Sequence, residues 1–272
     1  MTRLEVVAAG LLTTVQDGGR PGLAHLGVPP SGAVDRRAYD LGNLLVGNPP
    51  GAAALEATLV GPTLRFDGPA TVALTGATEP RVVRLGPGET LEVGRCEGGA
   101  RIYVCVRGGI DAEPVLGSRS TDLLTGLGPA PLGVGDVLGL GAEPAEGPRP
   151  GTVPGHVPRG APVLRVRRGP RDDWFTEEAL AALCAGPWRV GSASNRVGVR
   201  LEGTPLRRRR TNELLSEGLV TGALQVPPSG QPILLLTDRP TTGGYPVIAV
   251  VAADDLPLAS QLAPGMTVRF RE

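Results

Sequence analysis

The chain has 272 residues, 27 of them basic and 27 acidic, so its formal net charge is zero and no global field draws it to nucleic acid or membrane. Every basic residue is an arginine; without lysine the chain can carry no biotinyl-lysine, no Schiff-base lysine and no Walker A lysine. Three cysteines (Cys96, Cys105, Cys184) and two histidines (His25, His156) argue against a disulfide framework or a multi-histidine centre, and no metal is expected.

The N-terminal MTRLEVVAAGLLTTVQDGG has an apolar stretch broken by Glu5 and lacks a convincing cleavage site, which predicts a strand over Leu4–Ala8 rather than a signal peptide. No run approaches the roughly 18 apolar residues of a membrane span, so a cytoplasmic location is expected. Asp35–Val46 carries Ala38, Leu41, Leu45 and Val46 at helical spacing, with Asp35 placed to cap it. Strands are then predicted over Thr71–Leu74, Thr90–Val93, Arg101–Val106, Val137–Leu140 and Val163–Val166, and later over Val197–Leu201, Ala223–Val226, Ile233–Leu236, Val247–Val251 and Thr267–Phe270. Two further helices are expected, Thr176–Leu183 with a Thr cap and Asp254–Gln261 with Pro257 in its first turn. With 41 Gly and 28 Pro between these short apolar runs, the fold class is mainly β, a barrel or sandwich type with a few short helices.

The Pro/Gly-rich stretch Glu143–Pro162 is the candidate linker and divides the chain into residues 1–145, a linker at 146–162, and residues 163–272. His156 lies inside it and reads as solvent-exposed. Three segments beginning at Pro87, Val134 and Pro264 share a Gly turn feeding a strand, a hairpin device with no chemistry assigned. The pentapeptide VPPSG occurs at Val28–Gly32 and Val226–Gly230, and LVGPTL (Leu59–Leu64) echoes LEGTPL (Leu201–Leu206) in the opposite order. Two related halves with permuted or exchanged strands give that pattern.

Three stretches set polar residues between glycines and prolines. The first runs from Thr13 to Asp35 and offers Gln16, Asp17, Arg20, His25 and Ser31, a mixture suited to an anionic or amide-like ligand. The plainer reading of Asp17 and Arg20 is an ion pair stabilising a turn, and of Asp35 a helix cap. His25 is the only plausible imidazole acid or base, against a histidine bonded to backbone. The second stretch, Gly117–Asp122, flanks Arg119 with three hydroxyls, suiting carboxylate or phosphate, or a hydroxyl-rich turn. The third holds Gln225, Ser229, Gln231, Asp238, Thr242 and Tyr245. The apolar run Ile233–Leu236 separates Gln231 from Asp238 by roughly 20 Å of strand, too far for the two to share one proton. The run Arg207–Arg210 lacks interleaved aromatics and reads as a solvated turn rather than a phosphate patch. No nucleophile elbow, P-loop or dinucleotide fingerprint is present.

The segments LTTVQDGGRPGLAHLGVPPSGAVD, NLLVGNPPGAAALE, VRGGI, VLGSRSTD, SNRVGVRLEG and GALQVPPSGQPILLLTDRPTTGGYPVIAVV resemble the KipA/PxpC family, which includes the C subunit of 5-oxoprolinase and the carboxyltransferase part of urea carboxylase. The resemblance implies two cyclophilin-like β-barrel domains. It also implies work with a KipI/PxpB-type partner and a PxpA-type partner, opening 5-oxo-L-proline, a small amide, to L-glutamate with ATP used by the complex. Carried over by motif, His25, Gln231 and Asp238 are the candidate catalytic groups. Gln16, Asp17, Arg20, Ser31, Ser118, Arg196, Gln225, Ser229, Thr242 and Tyr245 are the candidate substrate-binding residues. The resemblance also admits a biotin-dependent carboxyltransferase component, its biotin carried on another chain, or a KipA-like regulator that antagonises a kinase inhibitor. One departure stands out: after VLGSRSTD relatives continue with Gly-Gly and Gly-Arg elements, whereas this chain has GLGPAPLGVGD (Gly126–Asp136), so an arginine of the family is missing there.

Overall fold

The computed structural model describes residues 2–149 and 160–272; His156 and the middle of the expected linker lie outside the described residues. The chain forms two compact units, one from residues 2–20 and 31–149, the other from residues 21–30 and 160–272.

In the first unit the elements follow as β1 (Arg3–Ala8), β2 (Leu12–Gln16), α1 (Arg36–Leu45), β3 (Ala54–Thr58), β4 (Thr63–Phe66), β5 (Ala70–Gly76), β6 (Arg81–Leu85), β7 (Thr90–Glu92), β8 (Arg101–Val106), β9 (Ile110–Asp111) and β10 (Val137–Leu140). They build two five-stranded antiparallel sheets, in the orders β7-β4-β1-β10-β9 and β2-β3-β8-β5-β6. Strand alternation explains the layering. Along β8, Ile102, Val104 and Val106 enter the core with Leu4, Phe66, Leu55 and Val15, while Tyr103 and Cys105 face the other way, toward Tyr39 of α1. All six β8 residues are therefore buried. Helix α1 comes close because Gly42 faces Cys105, whose Sγ would sit 2.5 Å from any Cβ there. Its N-cap is Asp35, which accepts a 3.0 Å bond from the Ala38 N–H.

In the second unit β11 (Val163–Arg168), α2 (Glu177–Ala185), β12 (Trp188–Val190), β13 (Gly198–Glu202), β14 (Glu217–Gly218), β15 (Ala223–Gln225), β16 (Ile233–Leu235), β17 (Thr242–Gly243), β18 (Val247–Val251), α3 (Leu256–Ser260) and β19 (Thr267–Arg271) follow in order. Seven strands close a barrel, β11-β18-β15-β16-β13-β12-β19, sealed by the parallel pairing of β11 with β19; β14 and β17 form a separate ribbon. Closure leaves the barrel no free edge. Thr176 caps α2 by accepting from the Ala179 N–H. At α3 a short 3₁₀ turn over Ala253–Asp255 comes first, and the Asp255 carboxylate binds Arg165 instead of capping.

Every strand read from the sequence is a strand here, and the architecture is mainly β with few short helices. The three repeated Gly turns share one backbone device: Gly88, Gly135 and Gly265 all have φ between +79° and +89°, a left-handed conformation that favours glycine. The LVGPTL and LEGTPL segments also use their glycines alike, Gly61 lying beneath Val93 and Gly203 beneath the Trp188 ring.

Candidate functional site

In the first unit, the α1-facing side of the second sheet carries a row of polar residues. Thr14 of β2 stands opposite Glu56 of β3, and Glu56 opposite Tyr103 of β8, with Thr75 of β5 beyond. Glu56 is buried and accepts from the Tyr103 hydroxyl at 2.6 Å and from the Val34 N–H at 3.0 Å, while Arg101 Nε lies 3.4 Å from its other oxygen. Burial, then the Glu56 charge, pushes the Tyr103 phenol well above its ordinary range, so it stays a protonated donor. Its oxygen in turn accepts from the Asp35 N–H, tying this row to the start of α1.

Where β2 ends, the chain turns sharply at Asp17-Gly18-Gly19-Arg20. Gly19 adopts φ +78°, and its N–H bonds back to Asp17 Oδ1 at 2.8 Å. The turn lies so close to residue 32 that a Cβ there would stand 2.8 Å from the Gly19 nitrogen, which requires glycine in the first VPPSG. The 118–120 loop wraps the Asp17 carboxylate: Ser118 Oγ donates at 2.6 Å, Ser120 Oγ at 2.7 Å and the Arg119 N–H at 2.6 Å. The expected Asp17–Arg20 ion pair is thus replaced by neutral donors. Arg20, only 2% exposed, spends Nε on Val115 O and Nη2 on Ser120 O, and its Nη1 meets no acceptor among the described residues.

Gln16 donates to Thr14 Oγ1 and Thr121 O, each at 3.0 Å, and Ser31 Oγ donates to the same Thr121 carbonyl. Gln16 Oε1 and Thr121 Oγ1, like Arg20 Nη1, are buried without a hydrogen-bond partner among the described residues. Unsatisfied buried polar atoms are rare in native proteins, and here three fall in neighbouring parts of one network. Together they offer a cationic donor, an amide acceptor and a hydroxyl of either role.

In the second unit Arg196 and Asp238, 1% and 0% exposed, form a two-pronged pair with Nε–Oδ2 at 2.9 Å and Nη2–Oδ1 at 3.0 Å. They clip the ends of the paired strands β13 and β16. Gln225 donates to Tyr245 O at 3.0 Å, and Gly243 lies against its amide, 2.8 Å from Nε2 for a Cβ, so Gln225, Thr242 and Tyr245 come together at the β14–β17 ribbon. Gln231 holds Gly203 through both of that residue's backbone groups, and Ser229 accepts from the Gln231 N–H. His25 is exposed, with Nδ1 3.1 Å from Gly22 O. It belongs to the unit of Arg196 and Asp238, not to that of Asp17 and Arg20. Among the described residues no three His, Cys, Asp or Glu side chains come together as metal ligands, and no helix is long and apolar enough to cross a membrane.

Sequence reading singles out neither Glu56 nor Tyr103, nor Arg239, which is 9% exposed with burial lowering its pKa and Nε unpartnered among the described residues. An acid inside the apolar run Ala52–Ala57 is the available signal for Glu56.

Comparison with known proteins places these observations. A family model described as carboxyltransferase domain, subdomain A and B, matches residues 26–272. The chain is 39% identical to the C subunit of 5-oxoprolinase from Escherichia coli (strain K12), across 98% of this chain and 90% of that protein. Among crystal structures, TTHA0988 superposes with a TM-score of 0.89 at 38% identity, over 100% of this chain and 56% of that one. The K. lactis urea amidolyase superposes with a TM-score of 0.91 at 33% identity, over 98% of this chain but 18% of the enzyme. The chain thus spans only part of both crystallised proteins.

Proposed function

This chain belongs to the carboxyltransferase domain family, subdomain A and B, and on that premise we propose that it is the C subunit of an ATP-dependent 5-oxoprolinase. It works in the cytoplasm with a PxpA-type partner and a KipI/PxpB-type partner, and the complex opens 5-oxo-L-proline to L-glutamate. The observation that carries the reading is the end-to-end match to the Escherichia coli protein, 90% of which this chain covers.

The unfilled atoms of the first unit suit such a substrate. 5-Oxo-L-proline has a carboxylate, a lactam N–H and a lactam carbonyl. Arg20 Nη1 donates to the carboxylate or to the oxyanion that develops as the ring opens, Gln16 Oε1 accepts the lactam N–H, and Thr121 Oγ1 serves the carbonyl. Asp17 is a positioning residue: it holds the 118–120 loop, whose Ser120 carbonyl anchors Arg20. ATP is consumed by the assembled complex, and this chain alone is inactive.

The test is glutamate release from 5-oxo-L-proline and ATP by this chain mixed with its genomically adjacent PxpA-type and PxpB-type partners, each omitted in turn. Activity that depends on all three is expected; none from the three folded chains together refutes the reading. The match to urea amidolyase favours a second reading, a carboxyltransferase that takes its carboxyl group from biotin. With no lysine among these 272 residues, they carry no biotin themselves, so carboxyl transfer to urea in the presence of a biotinylated carrier separates the two.

A further inference from the structure

The arginine run of the second unit is not the uniformly solvated turn its composition suggests. Arg210 binds Asp173 at 2.9 Å and lies over the Trp174 ring. Backbone bonds pin the run along residues 174–176, from the Arg209 N–H to Trp174 O and from the Thr176 N–H to Arg207 O. Arg208 turns inward and donates Nη2 to the carbonyl of Val226, the first residue of the second VPPSG. Its Nε is buried without an acceptor among the described residues, no carboxylate acts on it, and burial lowers its pKa. The Arg208 side chain as a whole is only half-buried.

Beside it lies a recess of about 320 Å³ lined by Arg207, Arg208, Thr211, Ser229 and Gly230, with Pro205, Leu206 and Pro228 as its apolar wall. Gly230 keeps φ +76° and packs on Pro205 and Leu206, while the Leu206 N–H bonds to its carbonyl at 2.9 Å, so the two walls are fastened together. Ser229 Oγ already accepts the Gln231 N–H, which leaves its hydroxyl proton free to donate into the recess. Arg207 feels Glu178 outside the recess, but no acid lines the recess itself. The lining side chains therefore bring two guanidinium groups and two hydroxyls and no carboxylate, a set that fits a ligand whose polar atoms all accept. The volume lies at the small end of the roughly 300–1,000 Å³ of ligand pockets, enough for a small organic acid or phosphate compound.

We propose that this recess is an oxyanion site that takes a small phosphoryl or carboxylate group between Arg207, Arg208, Thr211 and Ser229. It is built from residues of the second unit and does not rest on the 5-oxoprolinase reading, because its test needs no partner chain. Purified chain is titrated calorimetrically at low salt, once with inorganic phosphate and once with 5-oxo-L-proline. At least one saturates, and its Kd rises about tenfold or more in Arg207→Gln and in Thr211→Val, each with unchanged circular dichroism. Saturation by phosphate alone identifies a phosphoryl ligand, and by 5-oxo-L-proline a carboxylate; either supports the site. Arg208→Gln removes the Val226 anchor as well, so the other two variants decide if it fails to fold. Failure of both ligands to bind the wild-type chain at about 10 mM, or binding unchanged in the folded variants, overturns the proposal.

Discussion

Asp17 and Asp238 are both buried aspartates, 6% and 0% exposed, yet their charges are met in opposite ways. Asp238 consumes an arginine, Arg196, in a two-pronged pair that clips two barrel strands. Asp17 is satisfied by two serine hydroxyls and two backbone N–H groups, and the arginine three residues on is left with an unfilled Nη1. An aspartate that takes its donors from neutral groups leaves its neighbouring cation uncommitted to it, whereas one that takes an arginine commits that cation. The same residue types thus make a fastening in one unit and, in the other, a neutral cradle beside a guanidinium nitrogen that meets no acceptor among the described residues.

The largest effect that would break this contrast is at the fastening. Arg196→Ala strands a buried carboxylate and should cost the second unit about 3–5 kcal/mol, whereas Arg196→Met with Asp238→Leu should recover most of the loss. Urea unfolding of the three proteins reads it, and equal midpoints for the wild type and Arg196→Ala would end the assignment of a structural pair. Arg20→Met should do the reverse: unfolding shifted by no more than about 1–2 kcal/mol for two lost carbonyl bonds, but glutamate release by the assembled complex lowered about a hundredfold. Full activity in that variant would show that Arg20 does not meet the substrate. The smallest effect is expected at Arg165–Asp255, where hydrogen bonds from a half-exposed arginine hold the carboxyl below the usual carboxylate range. That contribution is present above the unfolded pKa of about 4 and is lost as pH falls through the lower folded value. Asp255→Asn should flatten the acid limb of the stability profile without moving the glutamate-release rate, as measured by melting temperature from pH 7 down to about pH 3.

Much of the scaffold was legible because most strands are short Val, Ile and Leu runs bounded by Gly or Pro, and the caps Asp35 and Thr176 stand beside the helices they start. Among the strands that escaped, β2 and β3 are made strand-like by neighbours far along the chain. β2 reads LTTVQ and β3 reads ALEAT, with polar residues where alternation predicts none. Four of five β3 positions are buried, and Glu56 is tolerated because Tyr103, 47 residues later, supplies a proton donor and Arg101 an opposite charge. Candidate residues framed by glycine, such as Gln16, Asp17 and Ser118, could be picked out because their backbone is so constrained. Spacing alone could not show that Ser118 and Ser120 take the place of Arg20 around Asp17, since that substitution is made about a hundred residues away. Nor could it show that residues 21–30 join the second unit.

That last assignment bears on how the protein is made and how it can be cut. The chain leaves the first unit after Arg20 and rejoins it at Ser31, so ten residues of the second unit are synthesised about 130 residues ahead of the rest. During translation those ten residues must wait for their partners while the sheets on either side of them in sequence assemble, a high-contact-order step of the kind that slows folding. A fragment starting at residue 160 lacks part of its own unit. An independently folding second unit would have to be a permuted chain, with residues 21–30 moved by a linker to one end of residues 160–272.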